Sequence, residues 1–244
     1  MGSKTKTLVA VLLTVTAIYI ATLYVDDFDP AMVRGKRVLI TGASSGIGEQ
    51  VTYHFAKMGA NLVLTARREN LLKKPWLGTG DNFTRLTTSM DVNFRSFVHL
   101  ASHALPLLTN SRGHISVVSS TAGVTATPYT AVYTATKYAL QGFFGVLRQE
   151  LALYNSGVSV TLCMVGATRT ERAVKSFVGM FGSDWHNTIQ PVEPELVALE
   201  ITKATVTRQY EVYTSTDIPF KIFISLRLLF PNFADKMLKS FSVL

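Results

Sequence analysis

The chain contains a single cysteine, Cys163, so no disulfide forms within it and a small cross-linked scaffold is excluded. Charge is also scarce, at 16% of residues, and no run of five cations occurs. Set against 48% apolar residues, that scarcity excludes a disordered chain, which needs low hydrophobicity. The 16 glycines and 8 prolines are ordinary usage, so collagen-like and low-complexity readings fall too. No internal repeat is present. The five histidines show no ligand spacing, and no metal is expected. The net charge of +8 is scattered and reads as a solvated basic surface, with no nucleic acid expected as a partner. What is left is a globular chain of 244 residues, for which one domain is the prior.

The N-terminus carries an address. Lys4 and Lys6 precede Thr7 to Val25, which holds no charge, and Asp26, Asp27 and Asp29 follow. Those 19 residues would span roughly 28 Å as a helix, close to a bilayer core. Cations before and acids after predict a type II signal anchor over 7–25, with 1–6 as a cytosolic tail. The alternative is a cleaved signal peptide and a secreted product, but no small-x-small cleavage site closes the stretch. Myristoylation is not expected, because Lys6 stands where that pattern needs Ser or Thr.

Beyond the anchor, apolar runs alternate with helical periodicities. Strands are expected at Arg37–Thr41, Asn61–Thr65, His114–Ser119, Ser159–Met164 and, weakly, Tyr210–Tyr213. Helices are expected over Gly46–Met58, most of Phe83–Thr109, and Ala131–Tyr154. This order predicts an α/β fold with a doubly wound parallel sheet, whose ligands bind beyond the carboxyl ends of the strands. The domain would run over 36–215, followed by an apolar, cation-studded C-terminal segment over 216–244 that either lies in a membrane interface or packs as a helix. Cys163 falls in an expected buried strand and reads as core.

The first strand ends in Thr41-Gly42-Ala43-Ser44-Ser45-Gly46-Ile47-Gly48, a T-G-x-x-x-G-x-G pattern that opens directly into a helix. Gly42 permits a sharp turn, Gly46 lets backbone approach a pyrophosphate, and Gly48 lets helix pack on strand, while the helix start offers N–H groups. The second strand runs into Arg67, a cation where an NAD-selective site usually carries an acid, which favours a 2′-phosphate and hence NADP. A second pattern is Tyr-x-x-x-Lys, which occurs twice. Tyr53 and Lys57 have no strand-end hydroxyl to meet and read as a surface pair. Tyr133 and Lys137 open the long helix after a strand ending at Ser120. Residues four apart share a helix face, and a cation beside a phenol favours its ionised form, as proton transfer near neutral pH requires. Ser120 is placed to hydrogen-bond a substrate oxygen whose charge changes during reaction.

Thr41 to Gly48, Asn93 in Val92-Asn93-Phe94, Ser120 thirteen residues before Tyr133, and Lys137 together resemble the short-chain dehydrogenase/reductase family. Leu105-Pro106-Leu107-Leu108, Val117-Val118-Ser119-Ser120, Gln141-Gly142-Phe143-Phe144 and Thr161-Leu162-Cys163, with the anchor, resemble its 11β-hydroxysteroid dehydrogenase type 1-like group. The resemblance implies a Rossmann-type fold, NADP(H), a lipophilic hydroxysteroid or ketosteroid substrate, a homodimer, and an endoplasmic reticulum membrane protein with its domain in the lumen. It makes Tyr133 the acid/base, Lys137 its partner and a ribose ligand, Ser120 the orienter of the substrate carbonyl, and Asn93 the support of a relay water. It places the cofactor on Gly42, Ser44, Ser45, Gly46, Ile47, Gly48, Arg67, Tyr133, Lys137, Thr168 and Thr170. Arg169 departs from the acid or small residue the family implies, and Ser45 stands where relatives often place a cation.

The same resemblance exposes a shortage. Only 27 residues separate Thr65 from Asn93, although one βαβ crossover takes about 30 and the family fits more than one there. On that scale roughly fifty residues, near 73–85, have no counterpart, which amounts to two strands and their helices. The sheet must then close up or leave a gap. The alternative to an active enzyme is therefore a shortened, catalytically impaired form, acting at most as a dimer partner of a full-length relative. Asn82-Phe83-Thr84 is the one glycosylation sequon found, usable if the domain is lumenal.

Overall fold

The computed structural model describes residues 27–65, 81–126, 130–183, 185–187 and 189–214, with isolated positions toward both ends. The anchor expected over 7–25 and Arg67 lie largely or wholly outside those residues, as does most of the C-terminal segment. Among the described residues no helix is long and apolar enough to cross a membrane.

Five strands form as expected: β1 (Arg37–Thr41), β2 (Asn61–Thr65), β3 (His114–Val118), β4 (Ser159–Val165) and β5 (Glu211–Thr214). The helices are α1 (Gly46–Lys57), α2 (Asp81–Met90), α3 (Ser96–Ser111), α4 (Ala131–Leu153), α5 (Glu171–Phe181) and α6 (Pro194–Val206). All pairings are parallel, but the strands make two sheets, β1 with β2 and β3-β4-β5, and β1 does not hydrogen-bond to β3. Of the two outcomes the short chain allowed, the described strands take the gap.

Strand β4 shows how the layers are specified. Its side chains alternate between two cores, as the period of two requires. Val160, Leu162 and Met164 join Ala101 of α3 and Leu140 and Phe144 of α4 on one face. Cys163 and Val165 join Val51 and Phe55 of α1 and Val197, Ala198 and Ile201 of α6 on the other. Ile40 of β1 belongs to that second cluster, so a shared hydrophobic layer, not backbone pairing, ties the two sheets together.

The detached sheet is covered on one side only. Val38, Ile40 and Leu62 turn toward α1 and α6, whereas Leu39 and its register partner Val63 are 48% and 59% exposed. Helices α5 and α6 are absent from the sequence expectations, although Val174, Phe177, Val178 and Phe181 of α5 have helical spacing. In α6 the buried set Val197, Ala198, Ile201, Thr202, Ala204 and Val206 makes a wide face, with Glu195, Leu196 and Glu200 exposed, and so a less distinct stripe. Pro194 at its first turn fixes the start, where the missing N–H costs nothing.

Candidate active site

The glycine turn is built as its residue types dictate. Gly42 and Gly46 take left-handed backbone, at φ +69° and +59°, which a side chain would resist. A Cβ on Gly48 would stand 2.3 Å from the Gly42 carbonyl oxygen, so the loop folds back on the first turn of α1. Ala43 N–H donates to the Thr65 carbonyl at 3.2 Å, closing the loop over the end of β2. Ser45 is the N-cap of α1, yet its side chain makes no capping hydrogen bond, and the helix start keeps its N–H groups for an anion. Ser44 is exposed and Ile47 half-buried.

A second wall faces this turn. A Cβ on Gly46 would come within 2.9 Å of the Thr170 Cγ2, so the glycine turn and the loop after β4 already touch. Thr170 caps α5 by accepting from Ala173 N–H at 3.2 Å. Thr168 is buried, bridges to Val192, and donates to the Gly166 carbonyl at 3.2 Å. Arg169, the departure noted in the sequence, pairs at 2.7 Å with Glu193, an exposed contact that turns it away from the loop's inner side.

The chemistry-bearing side chains gather where β3 ends. Lys137 is buried on α4, and its ammonium donates to the Val118 carbonyl at 3.4 Å, two residues before Ser120. The same ammonium lies 5.6 Å from the Tyr133 ring centroid and 5.8 Å from that of Phe97. Ring faces hold such a cation, and among the described residues no carboxylate pairs with it. Ser120 caps the short turn Thr121–Gly123, accepting from Ala122 N–H at 3.2 Å. Asn93 sits in a π-helical turn, Asp91–Arg95, between α2 and α3. Such wide turns are rare and frequently mark functional sites.

Two residues that the sequence pattern passes over organise this group. Thr136 is fully buried; its hydroxyl donates to the Tyr133 carbonyl at 2.7 Å and accepts from Asn93 Nδ2 at 3.4 Å. Gly123 is the other, since a Cβ there would lie 2.9 Å from the Lys137 carbonyl oxygen and 3.2 Å from Ser119 Oγ. Only glycine lets the Ser120 turn lie against α4 so closely. Ser119 Oγ is itself buried, with no hydrogen-bond partner among the described residues. Thr136 sits inside the Tyr-x-x-x-Lys spacing, but neither it nor Gly123 carries a signal in the sequence that marks its role.

The second Tyr-x-x-x-Lys match stays on the surface. Tyr53 is half exposed and donates to Glu49 at 3.0 Å, and that hydrogen bond, with the carboxylate's charge, holds its phenol above the usual range. Cys163 is buried in β4, and burial pushes its thiol up to about 11, which disqualifies it as a nucleophile at neutral pH.

A fold with parallel strands between helices, a glycine turn facing a threonine loop, and a Ser, Tyr, Lys and Asn group at one strand end define the short-chain dehydrogenase class. The short chain dehydrogenase model matches residues 36–77 and 79–178, more than half the sequence, and the chain belongs to that family of oxidoreductases. It is 35% identical to the hydroxysteroid 11-beta-dehydrogenase 1-like protein of Xenopus tropicalis, over 87% of this chain and 89% of that protein. It is 31% identical to the zebrafish (Danio rerio) protein of the same name, over 88% and 90%. The Xenopus tropicalis match runs over 267 positions, more than the 244 residues of this chain, so part of that relative has no counterpart here. Among solved structures, a short chain dehydrogenase from Burkholderia cenocepacia in complex with NADP superposes with a TM-score of 0.66 at 18% identity, over 81% of this chain and 94% of that one. One from Burkholderia phymatum in complex with NAD gives the same TM-score at 15% identity, over 83% and 96%. At those identities the likeness is one of fold.

Proposed function

We propose that the chain is an NADP(H)-dependent oxidoreductase acting between a hydroxyl and a keto group on a lipophilic substrate of the steroid class. The observation that supports it most is that the buried Thr136 hydroxyl joins the Tyr133 backbone carbonyl to the Asn93 side chain, while the Lys137 ammonium on the same helix donates to the Val118 carbonyl at the carboxyl end of β3. The residues fit a dinucleotide: the α1 start is free of a side-chain cap, and the Thr168–Thr170 loop lies against the glycine turn at Gly46, so both can reach one pyrophosphate. The bound nicotinamide would supply or accept hydride. Gly42, Ser44, Ser45, Gly46, Ile47 and Gly48 would hold its pyrophosphate side, Thr168 and Thr170 the opposite wall, and Lys137 the ribose. Arg67 would meet the 2′-phosphate.

Tyr133 would give a proton to the substrate oxygen, or take it back in the reverse direction, from its phenol. Ser120 would hydrogen-bond that oxygen as its charge changes, and Asn93 would support a relay water. The steroid class rests on the names of the relatives. We also propose the N-terminal run as a signal anchor that sets the domain in the lumen of the endoplasmic reticulum, and a homodimer through α4, whose exposed Phe143 and Val146 support it.

The break of the family match at 78 supports the reading that the missing residues fall there. The gap between β1 and β3 favours a second function, that of an impaired form serving only as a dimer partner of a full-length relative. One experiment separates the two. The purified chain is assayed for an NADPH-dependent melting shift and for ketosteroid reduction, alongside Tyr133→Phe. The enzyme reading expects both signals, with turnover lowered about 10²–10⁴-fold in Tyr133→Phe and the melting shift retained. Absence of both signals in the wild type would overturn it.

A further inference from the structure

We propose that His99 and His103 form a two-point site for a borderline divalent cation, of the zinc or copper(II) class, on the exposed side of α3. The residues stand four apart within the helix already expected over most of Phe83–Thr109, although no ligand role is expected of the histidines from sequence. On α3 one turn stacks them on the same side. Their Nε2 atoms lie 3.3 Å apart, with ring planes at 79° and ring centroids at 4.6 Å. Imidazole binds zinc at about 2.0–2.1 Å with tetrahedral geometry, which sets two ligand nitrogens about 3.3–3.4 Å apart. The observed separation matches that chord. A hydrogen bond between the rings is the competing account, and at this length it is weak.

The surroundings are compatible with a cation. Arg95, one turn earlier, would repel it, but its guanidinium is paired with Asp91 at 2.8 Å. Ser102 Oγ donates to the His99 carbonyl at 2.8 Å and so steadies the backbone between the two rings. Both side chains are exposed, which leaves room for water on the remaining coordination positions; His99, though not His103, also borders an open concavity of about 620 Å³ lined with Asp91, Phe94, Arg95, Ser96, Val98 and Ser102. No group of three His, Cys, Asp or Glu converges among the described residues, so the protein supplies two ligands and solvent the rest.

The other histidines are engaged elsewhere. His54 Nε2 meets the Glu195 carbonyl at 3.2 Å, His114 Nδ1 meets Ser159 Oγ at 2.8 Å, and the His186 ring stacks on Trp185 at 3.9 Å. Metal binding is therefore assigned to the pair, and it is independent of turnover at Tyr133.

The test titrates the untagged, chelator-treated full-length chain with copper(II) alone and then zinc(II) alone, by calorimetry. His99→Ala, His103→Ala and, as a control, His54→Ala are compared, with circular dichroism to check the fold. The expected result is one ion per chain, copper bound more tightly than zinc, and affinity lowered at least tenfold by either of the first two variants but not by the third. The melting midpoint should rise with metal in the wild type and the control only. Wild-type affinity weaker than millimolar, or wild-type affinity in either His99→Ala or His103→Ala, overturns the proposal.

Discussion

The Thr136 hydroxyl joins the Tyr133 backbone to the Asn93 side chain, so much of the site's geometry passes through one buried oxygen. Thr136→Val keeps the shape and removes both bonds, and at about 1 kcal/mol each it should lower stability by about 1–2 kcal/mol in urea unfolding. Turnover should fall further than that loss explains, and Thr136→Ser should restore it. Titration at His114 gives a second prediction. Burial, with a smaller contribution from Arg208, pushes its imidazole down from 6.5 to about 4. Between those values the unfolded chain holds the proton and the folded chain does not. Stability should therefore be full above pH 6.5 and fall on acidification toward pH 4, by on the order of 3 kcal/mol. His114→Gln should flatten that slope in unfolding curves measured at each pH. Residue identities of this sort, Tyr133, Lys137, Ser120 and the glycines, are legible because their chemistry is local and their spacing is that of a helix or a tight turn. Thr136 and Gly123 are not, because their roles exist only across α4.

Single elements carry the next level of organisation. The π-helical turn at Asp91–Arg95 brings Asn93 to α4, and the capped turn Thr121–Gly123 brings Ser120 there from the other side. Gly123→Ala would drive a Cβ to 2.9 Å from the Lys137 carbonyl, against backbone that cannot swing aside. Turnover should drop at least tenfold, while nucleotide binding, read as the melting shift with NADPH, persists. From the C-terminal segment, Arg227 donates to the Val124 carbonyl at 2.7 Å and to the Tyr138 hydroxyl at 2.9 Å. That clasp joins a segment read from sequence only as apolar and cationic to the turn that carries Ser120. Arg227→Ala should raise KM for an apolar substrate several-fold and leave NADPH binding unchanged, with Arg227→Lys intermediate.

At the scale of the whole molecule, the parallel sheet is interrupted between β1 and β3, and the parts are held by a common layer of Ile40, Cys163, Val165, Val197 and Ile201. Backbone groups along those two free edges lack ladder partners, whereas β4 is paired on both sides. Amide hydrogen exchange should therefore be fastest in β1 and β2 and slowest in β4, where every residue from Val160 to Val165 is buried. An exposed apolar edge is also a template for association. Leu39→Glu, at a half-exposed position, should change stability by less than about 0.5 kcal/mol and reduce self-association in sedimentation.

The sequence by itself determined the class of fold, the order of β1 to β5 with their ends to within one residue, and the glycine turn, because each is written in short-range periodicity or in residue types with one backbone solution. It also exposed the shortage before Asn93, since chain length limits how many crossovers fit. Only the tertiary structure decided how that shortage is absorbed, because a sheet closes or splits according to what the helices behind it can hold together. It decided, too, that α6 on the β3-β4-β5 sheet packs against α1 on the β1-β2 sheet, so the two helices together bridge the gap. And it set the Nε2 atoms of His99 and His103 3.3 Å apart on α3, since the helix was legible in the sequence but the rotamers of its side chains were not.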